Sequence, residues 1–276
     1  MIYQNSDLYN RSIIHDRRRP TVARGGVVLQ PIQRAQPLVT QVYQYLRDSI
    51  LTGQIAAGEK IVETRLAADL QVSRSPVREA IRLLLKDQLL TEQDGAICVF
   101  QPSLEDYFEL YDLRLALEPA AARKAAGAVA SGHAHGEHLL QLQENLAATK
   151  RCVDQMDMAH LLSLNAAFHH VVWEMAENTR FIRILVEVSA LIQYYGRLVL
   201  RVNNLQTNIV AEHGAIVEAL QAGDGEAAAN AMHRHITRDL EVFKAKVASA
   251  ADDSASWFGQ PQPAGMISSF KRGAIR

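Results

Sequence analysis

Residues 39–99 change their apolar period often enough to limit the whole fold. Val39, Val42, Tyr43, Leu46 and Ile50 recur at i, i+3, i+4, i+7 and i+11, the buried face of a helix, and Gly53 supplies its stop. Leu66, Ala67 and Leu70 then predict a short second helix over 63–70. Only Gln71 and Val72 separate it from a third, which opens near Ser73 or Ser75, accepts Pro76 in its first turn and buries Val77, Ile81, Leu84 and Leu85. The run LLTEQDGAICVF reads as two short strands about Asp94-Gly95, a favoured hairpin turn. Helix, helix, helix, hairpin is the outline of a winged helix-turn-helix. After Pro102 no alternating pattern competes with the helical one: a helix opened by the pair Ser103 and Asp106 is expected to run to about 126, with others over 137–151, 155–177, 179–202, 207–222 and 225–247. The expected fold is therefore mostly α, a winged helix-turn-helix with a β-hairpin wing followed by an antiparallel helical bundle.

A helix that reads a major groove needs an exposed face of Arg, Ser, Thr, Asn or Gln, and phosphate anchoring needs cations and helix-terminal N–H groups. VSRSPVREAI offers both: Arg74 and Arg78 present forks for guanine or phosphate, and Ser73 and Ser75 place hydroxyls where the helix dipole favours an anion. Arg65 on the preceding helix is within reach of the backbone or a base edge, and Gly95 brings the wing tip close to a sugar-phosphate chain. The competing account is an amphipathic helix whose arginines pair with Asp69, Glu79 and Asp87.

The stretch from Gly53 to Val99 resembles the DNA-binding domain of the GntR family. The agreement runs through Gly53, Gly58, Glu63, Leu66, Ala67, Leu70, Val72, Ser73, Arg74, Pro76, Val77, Arg78, Glu79, Ala80, Leu84, Leu89 and Gly95. The resemblance implies Arg65, Arg74 and Arg78 as principal contacts, Ser73 and Ser75 as supporting ones and Gly95 at the wing tip. Gln88 departs from it, standing where the family usually carries Gly after the third helix; it must accept a left-handed cap or end the helix differently.

In the second half Asn165 and His169 are four apart and share one helix face, while His213 and His235 lie on two later helices. If those helices meet, three imidazoles and an amide oxygen surround a point fit for a divalent metal with room for an anion. His170 and His233 are neighbours that compete for the same role, and the trio His133, His135 and His138 reads as a polar loop. NAAFHHVVWEMAEN, AEHGAIVEALQAGDGEAAANAMHRHI and YDLRLALEPAAARKAA resemble segments of the FCD effector domain, the sensing half of FadR-type GntR proteins. That resemblance implies a metal held by Asn165, His169, His213 and His235, with zinc, nickel or manganese as candidates. Asn165 stands where stronger metal binders of the family have Asp, and a neutral amide is the poorer donor. Arg114, among Leu110, Leu113 and Leu117, offers a fork for a carboxylate or a partner for Glu118 four residues on. The resemblance favours the ligand role, with a small organic acid as effector.

Charge agrees with this division. Residues 1–100 carry 13 Lys and Arg against 10 Asp and Glu, and the remainder 16 against 20, so the first part is the one suited to an anionic partner. Four segments are expected: a basic arm over 1–36, a DNA-binding domain over 37–101, an effector domain over 102–248 and a tail over 249–276. No apolar run or leader pattern suggests a membrane span or export, and Cys98 and Cys152 have no metal or disulfide spacing, so a cytoplasmic protein with reduced thiols is expected. The functional expectation is a homodimeric, ligand-responsive repressor on a palindromic double-stranded operator, and not an enzyme. The alternative, a metal-dependent enzyme for small carboxylates with an accessory DNA-binding domain, lacks an acid or base in HExxH-like spacing with the histidines.

Overall fold

The computed structural model describes residues 36–132, 135–202 and 206–249. The expected arm and tail fall almost wholly outside the described residues, as does His133. The first helix, α1 (Leu38–Thr52), begins after Pro37 and ends at Gly53, whose φ of 73° closes the turn. Val42, Leu46 and Ile50, at helical spacing, bury its inner face. Helices α2 (Glu63–Asp69) and α3 (Arg74–Lys86) follow, and Val77, Ala80, Ile81 and Leu84 of α3 complete the core with Leu89 and Val99.

The wing consists of β2 (Leu90–Gln93) and β3 (Ala96–Val99), paired antiparallel so that Gln93 faces Ala96 across the turn. Asp94 (φ 49°) and Gly95 (φ 73°) are both left-handed, the combination that lets a two-residue loop follow the twist of its strands. A third strand, β1 (Lys60–Ile61), pairs with the other edge of β3, giving the order β1-β3-β2. Its two residues are too few to alternate, so no period announces it. Gln88 has φ 59°: it accepts the left-handed conformation at the end of α3 instead of ending the helix differently.

The bundle comprises α4 (Leu104–Ala130), α5 (Gly136–Gln155), α6 (Met158–Met175), α7 (Thr179–Val202), α8 (Gln206–Gln221) and α9 (Gly225–Ser249). The Ser103 hydroxyl accepts from the Asp106 N–H and starts α4, one half of the capping box the sequence suggests; the reciprocal bond is absent because Tyr195 engages both the Asp106 carboxylate and the Ser103 N–H. Helix α4 continues to Ala130, four residues beyond the expected end. The break before α6 falls at Met156 (φ 56°) and Asp157, whose side chain caps the new helix, rather than at Gln155. Met is a good helix former and gives no stop signal, so the one local mark of that break is the capping residue Asp157. Helix α4 is the central post, packed against α9, α6, α8 and α7. At Gly223 (φ 68°) a Cβ would lie 2.9 Å from that of Ala130, so the α8–α9 turn can rest on the end of α4 only with glycine there.

Helix α7 also touches the winged helix. Ala190 is buried in its core and Tyr194 packs beside it, with the Phe100 ring edge-on to Tyr194 at 6.3 Å. The neighbouring Tyr195 hydroxyl donates to Asp106 (2.7 Å) and accepts from the Ser103 N–H (3.2 Å), fastening α7 to the start of α4.

A candidate DNA-reading face and a buried histidine centre

Burying Val77, Ile81 and Leu84 turns Arg74, Arg78 and Arg82 to solvent, because residues four apart share a face. One carboxylate organises two of them. Arg74 Nε donates to Glu63 Oε1 (2.8 Å), and Arg78 donates through Nε (3.0 Å) and a terminal nitrogen (2.9 Å) to the same group. Arg78 first, then Arg74, holds the Glu63 carboxyl down at about 2. Of the pairings the sequence suggests, Arg65–Asp69 (3.7 Å) and Arg82–Glu79 (2.6 Å) form, whereas Asp87 instead accepts from the Tyr43 hydroxyl. Ser73 occupies the N-cap without a hydrogen bond from its hydroxyl to the helix, and Ser75 lies exposed in the first turn. Nothing lies within 4 Å of where a Gly95 side chain would begin, so backbone conformation rather than clearance calls for glycine at the wing tip.

In the bundle, His169 on α6, His213 on α8 and His235 on α9 converge, with one ring nitrogen of each within 4.8 Å of the others. All are buried, and the His213 ring stacks on Phe168 at 3.8 Å. His169 Nδ1 meets Glu118 Oε2 at 2.6 Å, and His235 Nδ1 meets Glu212 Oε2 at 2.9 Å. Neutral imidazoles that donate Nδ1–H to these carboxylates must turn the Nε2 lone pairs inward, and the two Nε2 atoms lie 3.2 Å apart. Two lone pairs at that distance repel unless a cation lies between them. Two nitrogens bound tetrahedrally at roughly 2.0–2.1 Å from zinc would be about 3.3 Å apart. Both His213 nitrogens and the Asn165 Oδ1 are buried without a hydrogen-bond partner. Burial, and then the two neighbouring histidines, push His213 well below its usual range, which keeps it neutral as a ligand must be. The donor set fits a divalent metal.

The neighbouring histidines separate cleanly. His170 turns to Glu174 (3.6 Å), and His233 is exposed beside Thr237. His135, expected in a polar loop, is instead buried, 3.4 Å from Glu177 and 3.5 Å from the His138 ring.

Arg114 is buried and its Nε donates to Glu118 Oε1 at 2.6 Å, so the intramolecular pairing foreseen from the sequence forms. One terminal nitrogen of Arg114 nonetheless remains buried with no hydrogen-bond partner, the guanidinium lying 4.9 Å over the Tyr111 ring. Glu118 also accepts from Trp173 Nε1 (3.1 Å), joining arginine, histidine and indole. Burial alone would raise the Glu118 carboxyl, but Arg114 and His169 outweigh it and hold the group well below the carboxylate range. In the sequence Glu118 stands out only as a partner for Arg114, and Glu212 does not stand out. The signal for Glu212 was its position directly before His213.

The two halves define a class: regulators that join a winged-helix DNA-binding domain to a helical sensing domain. The chain belongs to the GntR family, since residues 38–99 match the model of bacterial regulatory proteins of the gntR family and residues 109–238 match the FCD domain. It is thus a DNA-binding transcriptional regulator. It is 30% identical over 77% of its length to the uncharacterized HTH-type transcriptional regulator YdhC of Bacillus subtilis, covering 94% of that protein. It is 25% identical to the HTH-type transcriptional repressor RspR of Escherichia coli, over 82% of this chain and 95% of that one. The solved structure of E. coli McbR/YncC shares the fold with a TM-score of 0.64 at 19% identity, covering 76% of this chain and 99% of that one.

Proposed function

We propose that this regulator binds a palindromic operator as a homodimer, with α3 of each subunit in a major groove and the wing tip at Gly95 over the adjoining backbone. Arg74 and Arg78 are the principal readers, Arg65 a flanking contact, and Ser73 and Ser75 the donors at the helix start. The observation that carries this reading is the Glu63 carboxylate, which gathers Arg74 and Arg78 into one exposed pair while Arg74 keeps both terminal nitrogens outside that contact. Repression is the proposed mode, in keeping with the name of RspR. A DNA-binding role supports a cytoplasmic location. Among the described residues no helix is long and apolar enough to cross a membrane. The working division is a DNA-binding domain over 37–101 and an effector domain over 102–248.

The bundle senses a small organic acid. His169, His213 and His235, with Asn165 as the weaker donor, hold a divalent metal such as zinc, nickel or manganese. When bound, that ion supplies a Lewis-acidic position for a carboxylate oxygen. Arg114 supplies the unpartnered nitrogen, which suits the same anion. Glu118 and Glu212 are both engaged behind the imidazoles, at Nδ1, which supports a holding role rather than proton transfer to a substrate.

Replacing Arg74 or Arg78 by Ala should weaken binding to a duplex selected by this protein by about 5- to 150-fold, the worth of one bidentate base contact. Thermal unfolding should stay unchanged. Fluorescence anisotropy at fixed salt measures it, and an unaltered Kd in both variants rules out this reading face.

A further inference from the structure

Helix α7 serves two surfaces at once. On one, Ala190 and Tyr194 pack into the winged-helix core, and Arg197 donates to the Leu51 carbonyl in the last turn of α1. On the adjoining one, Ser189, Ile192 and Gly196 line a small cavity whose other walls include Asn165 and His169. Gln193 belongs to both. It lines the cavity, and its Oε1 accepts from an Arg47 terminal nitrogen at 2.6 Å. Arg47 lies on α1 one turn from Tyr43, whose hydroxyl donates to Asp87 at the end of α3. Two side-chain contacts joined by one turn of α1 therefore lead from the cavity wall to the C-terminal end of the proposed reading helix.

The cavity measures about 20 Å³, room for about one water. Pockets that hold small molecules measure about 300–1,000 Å³. An organic acid enters only if a wall moves. The α6 wall is tied through His169 to Glu118 and the central post α4, whereas the α7 wall is tied to the winged helix.

We propose that Gln193 is the positioning residue through which occupancy of this cavity reaches the DNA-binding domain. With the cavity closed, its amide holds Arg47. A compact carboxylic acid seated beside His169 displaces α7, draws the Gln193 N–H away from the Ser189 carbonyl (3.4 Å), and turns the amide so that its Oε1 leaves Arg47 and loosens α1. The inference rests on the sensing role proposed for the bundle and names the element that transmits it.

The test uses the full-length, metal-loaded protein and a duplex that it selects from a random pool. Gly196→Phe serves as the occupant: a Cβ at Gly196 meets only Leu162, at 3.7 Å, on the cavity lining. Gly196→Phe should change the operator Kd by about fivefold or more, the lower range of allosteric coupling, but by less than about twofold when Arg47 is already Ala. Without DNA, amide exchange across α1 should accelerate in Gln193→Ala and Gly196→Phe and remain at the parent rate in Gln193→Glu, which keeps an acceptor for Arg47. An equal fold-change in both Arg47 backgrounds, or unchanged α1 exchange in Gln193→Ala, overturns the proposal. If Gly196→Phe fails to fold, the two Gln193 variants decide the matter. If no duplex is selected, the proposed DNA reading fails, while the exchange comparison still tests the latch.

Discussion

The winged helix and the bundle use the same elementary contact, a cation against a carboxylate, at opposite ends of the burial scale. In the head, Glu63 holds Arg74 and Arg78 at the surface, where solvent screens the pairs and takes most of their strength. In the bundle, Glu118 faces Arg114 and His169 with almost no exposure on any of the three. Removing one member there leaves a charge without water or partner. The exposed cluster is built to exchange its partner for DNA; the buried one holds its geometry and tolerates little change.

Substitutions at the two carboxylates would break that contrast most directly. Glu118→Ala should show the largest effect, a loss of about 3–5 kcal/mol in denaturant unfolding, because Arg114 is stranded in the core. A loss below about 1 kcal/mol would place Glu118 with the surface pairs. The next effect concerns the ligands themselves: purified His213→Ala His235→Ala protein should lose the bound divalent metal, read by elemental analysis against the parent. Equal metal content in both proteins refutes the site. Glu63→Gln should leave the melting temperature close to that of the parent, as exposed substitutions do. It should narrow the ratio of operator to random-duplex affinity, because the arginines keep their charge and lose their alignment. An unchanged ratio would deny Glu63 a positioning role. The smallest change is expected at the end of α3, where Gln88→Gly should raise stability by about 1 kcal/mol by relieving the left-handed backbone. A lower melting temperature would show that the Gln88 side chain makes up for that strain.

Much of the head was legible before folding. Buried residues at helical spacing, the Asp94-Gly95 turn and the arginines four apart are local patterns, and the structure places them as expected except for the two-residue strand at Lys60–Ile61. The bundle was legible as a set of helices, yet its ends were not. The break at Met156 is marked only by the cap Asp157, and α4 runs on to its cap Ser131 and the left-handed Gly132, beyond where its apolar period suggested an end. In the candidate metal centre the three histidines were foreseen on separate helices. Their carboxylate partners were not identified, and His135 proved buried where a loop was expected.

The sequence by itself determined the order of the helices and of the wing hairpin, the outward face of α3 and the family to which the chain belongs. Each depends on neighbours within a few turns, where period and turn chemistry act directly. Only the tertiary structure decided that Glu118, already paired with Arg114, also meets His169 and Trp173, and that Gln193 reaches Arg47 on another domain's helix. Those meetings depend on how each helix is rotated and packed against partners 50 to 150 residues away, and local periodicity carries no record of that choice.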